Sequence, residues 1–90
     1  MRYFMFSVFD NATQVYCPPF IAATVSSALR DFAFAANDAS TNIGKYPTDY
    51  TLFSVGEYDD QSGEIIPQVH KSLGLAASYV KQPEVTEDGI

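Results

Sequence analysis

The sequence has little of the chemistry that most enzymes and zinc proteins need. Its single cysteine, Cys17, excludes an internal disulfide and a cysteine-based zinc cluster. Its single histidine, His70, has no serine or cysteine motif placed to pair with it for nucleophilic catalysis. The GxGxxG, GxxxxGK[ST] and HExxH motifs are missing as well, and with them the common nucleotide- and zinc-dependent signatures. We therefore predict a protein that is not an enzyme and that uses no cofactor or metal.

Positive charge is also scarce. Five Lys and Arg stand against eleven Asp and Glu, a formal net charge of −6, which disfavours non-specific binding to duplex DNA because that binding neutralises phosphates. Three of the acids lie in residues 82–90, which we interpret as a flexible acidic tail. Residues 1–81 carry eight acids and five bases, a net charge of −3. This charge is compatible with a local basic patch. It would draw on Arg2, Arg30, Lys45, Lys71 and Lys81.

Long hydrophobic runs are absent. Residues 32–36 form one of the longest apolar stretches, and they are far too few to span a bilayer. No charged-then-apolar leader opens the sequence. The single cysteine, with no disulfide to form, leads us to expect a protein of the reducing cytoplasm. Ninety residues allow one domain with a thin core. Because small domains often gain stability by association, we predict that the chain forms a homo-oligomer.

The first half of the sequence predicts a strand, a strap and a helix. Arg2–Asp10 is rich in aromatic and β-branched residues and apolar on both faces, which predicts a central strand. Residues 14–20 contain Pro18 and Pro19 and should form an extended strap anchored by Tyr16 and Phe20. The helical stripe, capped near Thr24, comprises Val25, Ala28, Leu29, Phe32, Ala33 and Ala36.

One residue of this helix does not fit the apolar stripe. Phe34 follows Val25 by nine positions, which at 100° per residue places it on the opposite side of the helix. It is either covered by another segment or offered to a partner. We therefore take Phe34 as the candidate interface residue.

The second half predicts a hairpin. "DYTLFSVGEYDD" (residues 49–60) and "EIIPQVH" (residues 64–70) are strand-like, Gly63 suits the turn between them, and Pro67 indicates a sheet edge. Residues 71–80 fit a short helix or a strand. The sequence thus predicts one α+β domain over residues 1–81. It has a small antiparallel sheet of about three strands, one main helix packed on one face, and a short C-terminal helix or strand.

Aromatic and acidic residues concentrate in this hairpin. Strict alternation puts Tyr50 and Tyr58 on one face, where they are the residues most available to a partner. The four acids near the turn form either a divalent-cation site or a solvated hairpin tip: Glu57, Asp59, Asp60 and Glu64. The rings either stack unpaired bases, at roughly 1–3 kcal/mol each, or fill the core or a subunit interface.

Three segments carry a resemblance to a known family: "VFDNATQVYCPPFIAATVSSALRDF", "NIGKYPTDYTLFSVGEYDDQSGEI" and "SLGLAASYV". Together they resemble the small non-structural protein of gokushovirus-type microviruses, icosahedral phages with single-stranded DNA genomes. The block YPxDYxLFxxGEYDDxxG is its most specific part, and the resemblance spans residues 2–80. It implies a host-cytoplasmic, non-virion protein that acts in the switch from double-stranded intermediates to single-stranded genomes. It implies no catalytic or cofactor residues.

Two mechanisms remain open from the sequence. In the first, an oligomer binds single-stranded DNA through six candidate residues: Tyr46, Tyr50, Phe53, Tyr58, Lys45 and Arg30. In the second, the chain is an adaptor between the replication initiator or host replication proteins and the assembling capsid, without DNA contact. The negative charge favours the second mechanism, and the aromatic content favours the first. An assembly chaperone that contacts capsid protein alone is a third option.

Overall fold

The computed structural model describes residues 1–81, which form one antiparallel sheet and several helical segments. The five strands are β1 (Arg2–Asp10), β2 (Val15–Tyr16), β3 (Phe20–Ala22), β4 (Tyr50–Asp59) and β5 (Ile65–Leu75). The helices are α1 (Val25–Ala36) and α2 (Asn42–Lys45), with 3-10 turns at Pro47–Asp49 and Ala76–Tyr79. The tail expected at 82–90 lies outside the described residues. Within the described part, no helix has the length and apolar character to cross a membrane.

The sheet order is β2-β1-β4-β5, with β3 also paired to β1. The α+β class and the central position of β1 are confirmed, and β5 is an edge strand, as Pro67 indicated. The predicted number of about three strands is wrong, because the sheet has five. The extra strands, β2 and β3, hold two and three residues on either side of Pro18 and Pro19. Such short segments are too brief to show alternation in the sequence.

The strap between these short strands is fastened to β1. The Cys17 N–H donates to the Val8 carbonyl at 2.7 Å, and the Ser7 hydroxyl donates to the Cys17 carbonyl at 2.8 Å. Tyr16 and Phe20 anchor its two ends, each against a ring of β1. The strap thus runs along β1 as an extension of the sheet.

Helix α1 covers one face of the sheet. The Thr24 hydroxyl accepts from the Ser27 N–H at 3.0 Å, so Thr24 is the N-cap, as predicted. The buried core joins the helical stripe to the inward side chains of the strands, and it consists of Phe6, Val8, Ala28, Phe32, Ala36, Tyr50, Leu52 and Ala76. The helical segments therefore lie in one layer on this face.

The C-terminal segment is tied to the end of α1 by one side chain. Asn37 Nδ2 donates to the Ala33 and Tyr79 carbonyls at 2.7 and 2.9 Å, and its Oδ1 accepts from the Lys81 N–H at 2.7 Å. The Tyr79 ring packs against Phe32, with 5.9 Å between ring centroids. Residues 71–80 are thus strand as far as Leu75 and a 3-10 turn after it.

A bulge in β4 changes which tyrosines share a face. Met5 pairs with Gly56 whereas Phe6 pairs with Ser54, so Val55 is an extra residue in β4. The one-residue shift places Tyr58 beside Tyr3, on the face opposite Phe6. The prediction that Tyr50 and Tyr58 share a face is therefore wrong. It assumed uninterrupted alternation along β4, and the bulge interrupts it.

Candidate functional site

The sheet face opposite the helices carries many rings and no charge. We call this surface the ring face. Strand pairing and ring contacts place on it Tyr3, Met5, Ser7, Phe9, Tyr16, Ile21, Thr51, Phe53, Val55, Tyr58, Ile65, His70, Ser72 and Leu75. None of these residues is Asp, Glu, Lys or Arg. Since all helical segments of residues 1–81 lie on the other face, the ring face is not covered by the described chain.

Four side chains from four strands meet at the centre of the ring face. Tyr16 lies 4.7 Å from Phe9, 5.8 Å from Phe53 and 5.4 Å from His70, measured between ring centroids. His70 Nδ1 is within hydrogen-bond distance of the Tyr16 hydroxyl, at 3.3 Å. Tyr16 is nevertheless 44% exposed. The cluster is therefore fixed by mutual packing while its outer surface stays accessible.

A cleft of about 420 Å³ lies beside this cluster, lined by Ser7, Tyr16, Cys17, Pro18, Pro19, Val55 and His70. Cys17 is partly buried where the strap packs against the core, and burial, followed by the nearby Asp10 carboxylate, raises the pKa of its thiol. A thiol whose pKa is raised stays protonated and unreactive at neutral pH. The cleft thus offers an apolar surface with hydroxyl and imidazole groups at its side.

A second surface lies on the outer side of α1, and we call it the helix groove. It has a volume of about 530 Å³ and is lined by Arg30, Ala33, Phe34, Asn37, Asp38, Ala39, Tyr79 and Lys81. Phe34 is 75% exposed. Arg30 precedes it by four residues, so both project from the same side of the helix. Lys81 is brought to the groove by the Asn37 hydrogen bonds.

The cations of the helix groove make no ion pair with a carboxylate of residues 1–81. The ion pairs found in that part of the chain join the N-terminus to Asp60 and Arg2 to Glu57. Asp38 also lines the groove, and hydrogen bonds from the Ser40 side chain and backbone, at 2.6 and 2.9 Å, hold its pKa below the usual value. The groove thus combines an exposed ring with two cations and one anion.

The structure separates the residues that the sequence singled out. Arg30 and Phe34 come together in the helix groove. Phe53 and Tyr58 lie on the ring face, whereas Tyr50 is only 9% exposed and belongs to the core. Lys45 and Tyr46 are exposed at the end of α2. No single subunit, as far as residue 81, lines up the four candidate rings as one platform.

The central ring-face residues Phe9, Tyr16 and His70 were not among the site residues proposed from the sequence, and Lys81 was named there only as part of a possible basic patch. Alternation along β1 puts Phe9 on the face opposite Phe6, and Tyr16 is the predicted anchor of the strap. Their meeting with His70 depends on strand order, which the sequence does not display. The position of Lys81 depends on the Asn37 side chain.

The acids of the hairpin tip are engaged locally. The Asp59 carboxylate accepts from the Gln61 N–H at 2.9 Å, Asp60 pairs with the N-terminus at 2.7 Å, and Glu57 accepts from Arg2 at 3.1 Å. Among residues 1–81, no three side chains of metal-ligating type lie close enough together to hold a metal ion. The tip is therefore an acidic, solvated surface.

Comparison with known proteins identifies a family. Residues 3–79 match the model of the Phage ORF5 protein family, which is most of the chain. No curated protein matches the chain, and neither does any solved structure. The match confirms the relationship to a phage protein that the central sequence block indicated. The chain belongs to the Phage ORF5 protein family.

Proposed function

We propose that this protein acts in phage DNA replication in the host cytoplasm, in the switch to single-stranded genome synthesis, by binding single-stranded DNA as an oligomer. Family membership supports its phage origin. The replication role rests on the narrower resemblance to the small non-structural protein of gokushovirus-type microviruses. The observation that carries the DNA contact is the helix groove, which the exposed Phe34 ring lines together with Arg30 and Lys81.

The helix groove suits DNA better than the ring face does. Phosphate neutralisation supplies much of the affinity of proteins for nucleic acids, and the ring face offers no cation for it. In the groove, Arg30 and Lys81 can each meet a phosphate while a base stacks on Phe34, a contact worth roughly 1–3 kcal/mol. Asp38 at the rim weakens the site, so we expect modest affinity per subunit.

Single-stranded DNA fits this site better than duplex DNA. Stacking on Phe34 needs an unpaired base, because the bases of a duplex are already stacked on one another. Two cations per subunit are few for a protein of net charge −6. An oligomer compensates for this weakness, because a strand that spans two grooves binds the second one at high effective concentration.

A salt-dependent titration tests this function. A fluorescently labelled oligonucleotide should bind with a slope of log affinity against log salt of about −1.4 per groove, from about −0.7 per neutralised phosphate. Affinity at one groove then falls about sevenfold between 50 and 200 mM salt. Arg30→Ala should halve the slope, whereas Phe34→Ala should weaken binding and leave the slope unchanged.

Lys45→Ala is the matched control, because Lys45 is an exposed cation on α2 outside the groove. The changes in affinity and in slope that Lys45→Ala causes should both be smaller than those of Arg30→Ala. Absence of binding at low salt, or equal losses in Lys45→Ala and Arg30→Ala, would reject the groove as a DNA site.

The adaptor function stays as the second candidate, favoured by the exposed acidic hairpin tip. Asp60 and Glu64 are exposed there, and a basic surface on the replication initiator or capsid would complement them. Glu64→Lys should then abolish capture of that partner from phage-infected cells while Arg30→Ala leaves it intact. The opposite pattern would favour the DNA-binding function.

A further inference from the structure

We propose that the ring face is the surface through which two copies of this chain join face to face as a twofold homodimer. The inference concerns a different surface from the helix groove and holds whether or not the groove binds DNA. Its first support is charge. Thirteen of residues 1–81 are charged, yet none of these thirteen lies on the ring face. A nucleic acid or an anionic membrane would meet no counter-charge there. The ring face of a second copy is equally uncharged and is therefore complementary to the first.

The second support is the architecture. The sheet has helices on one face only, and its other face presents half-buried rings such as Phe9, Phe53 and Tyr58. Antiparallel sheets with one wet face usually alternate polar residues onto it, and here the alternation places Met5, Phe9 and Phe53 there instead. Two such sheets pack about 10 Å apart and interdigitate their side chains. Dimerisation would give this thin domain a second core layer.

The third support is area. Nine residues of β1 at about 3.3 Å each, across four strands about 4.8 Å apart, give a flat surface of about 570 Å². Two copies would bury about 1,100 Å² in total, without the additional area of the side chains that protrude from this flat surface. That value exceeds the roughly 1,000 Å² that a specific interface needs.

The β5 edge is a poorer joining surface. Pro67 cannot donate a hydrogen bond to a neighbouring strand. Between the pairs Ser54–Lys71 and Gly56–Pro67, β4 has one residue where β5 has three, so the edge bulges at residues 68–70. Bulges, Pro and Lys are features that protect edge strands against pairing.

The exposed helix surface around Phe34 is also a poorer joining surface. Because Arg30, Asp38 and Lys81 line this surface, a twofold contact centred on Phe34 would place charged groups of both copies in the interface, and parallel helices would bring the two Arg30 residues together. Like charges placed opposite one another across an interface are unfavourable. Phe34, the interface candidate from the sequence, is thus better suited to a charged ligand than to a second copy.

Light scattering coupled to gel filtration, over a range of concentrations, tests the proposal. The chain of 9.9 kDa should elute as a dimer of about twice that mass. Ile21→Lys and Ile65→Lys each place a charge on the ring face at a side chain that is already exposed, at 45% and 61%, so each should fold normally by circular dichroism. Each should raise the dimer dissociation constant at least 100-fold.

Two variants on other surfaces serve as matched controls: Phe34→Lys in the helix groove and Val69→Lys at the β5 edge, where the side chain is 93% exposed. Both should remain dimers. A wild-type monomer at high concentration would overturn the proposal. So would a dimer that survives Ile21→Lys and Ile65→Lys, or one that only Val69→Lys or Phe34→Lys dissociates. Oligonucleotide binding does not enter these readouts, so its failure would be distinguishable from the failure of this proposal.

Discussion

Tyr16 and His70 are 54 positions apart in the chain, yet His70 Nδ1 lies 3.3 Å from the Tyr16 hydroxyl on the ring face. Their strands, β2 and β5, are separated in the sheet by β1 and β4. The two side chains meet beside Ser7, a small residue that leaves room for the cleft. The contact joins the strap to the edge strand, so both sides of the ring face are held in one arrangement.

The β4 bulge makes a prediction about stability. A Cβ added at Gly56 would lie 2.5 Å from the Ile66 carbonyl oxygen, a backbone atom that cannot move alone. We expect Gly56→Ala to destabilise the protein by about 3 kcal/mol, at the upper end of what overpacking costs. Urea unfolding at one fixed protein concentration measures this change.

Gly63→Ala is the control for the bulge. Nothing lies within 4 Å of an added Cβ there, but the φ of +74° is strained for alanine, which costs about 1–2 kcal/mol. The loss should therefore be smaller than for Gly56→Ala. Equal stabilities of Gly56→Ala and the wild type would show that the bulge is not as tight as described.

Cys17 makes a prediction about pH. Burial and, to a smaller extent, Asp10 raise the pKa of its thiol above the usual value. The folded protein then keeps the thiol proton at a pH where the unfolded chain has lost it. The contribution of this group to stability is complete below the unfolded pKa and declines as the pH rises through the folded pKa.

Alkylation by iodoacetamide, followed by mass spectrometry, measures this shift. The pH at which Cys17 reacts at half its maximal rate should be higher in the folded protein than in urea. Asp10→Asn should lower it part of the way, because burial is the larger cause. A half-maximal pH below that of the unfolded chain would contradict the account.

The acidic tail makes a prediction about affinity. Removing residues 82–90 deletes Glu84, Glu87 and Asp88 and changes the formal net charge from −6 to −3. Less repulsion from phosphates should tighten oligonucleotide binding at low salt, and the gain should shrink as salt screens the charges. Fluorescence anisotropy measures both effects.

The control for this deletion keeps the full chain length. A variant with Glu84→Gln, Glu87→Gln and Asp88→Asn should bind as the truncated chain does. If truncation tightens binding and this variant does not, then charge is not the reason.

Much of the fold could be predicted because it follows from sequence patterns within short segments. Helix α1 follows from the spacing of its apolar residues and from Thr24, and the exposure of Phe34 follows from the same period. Gly63 has the positive φ that the turn required, and Pro67 marks the edge strand. Each of these features depends on residues close together in the chain.

The surfaces could not be predicted to the same extent because they depend on distant contacts. The Val55 bulge reverses the face of Tyr58, and no residue type at that position signals it. The ring face needs the pairing of Tyr16 with Phe9, which rests on a strand of two residues. The helix groove needs Lys81, which one side chain on another element places.

Ultraviolet cross-linking of a thymidine-rich oligonucleotide, with mass-spectrometric mapping of the modified residue, tests the central claim most directly. The claim is that the helix groove holds the DNA strand while the ring face joins two copies. The account predicts cross-links at Phe34 or Tyr79, which line the groove. Cross-links at Phe9, Tyr16, Phe53 or His70 instead would show that the strand lies on the ring face, and would contradict it.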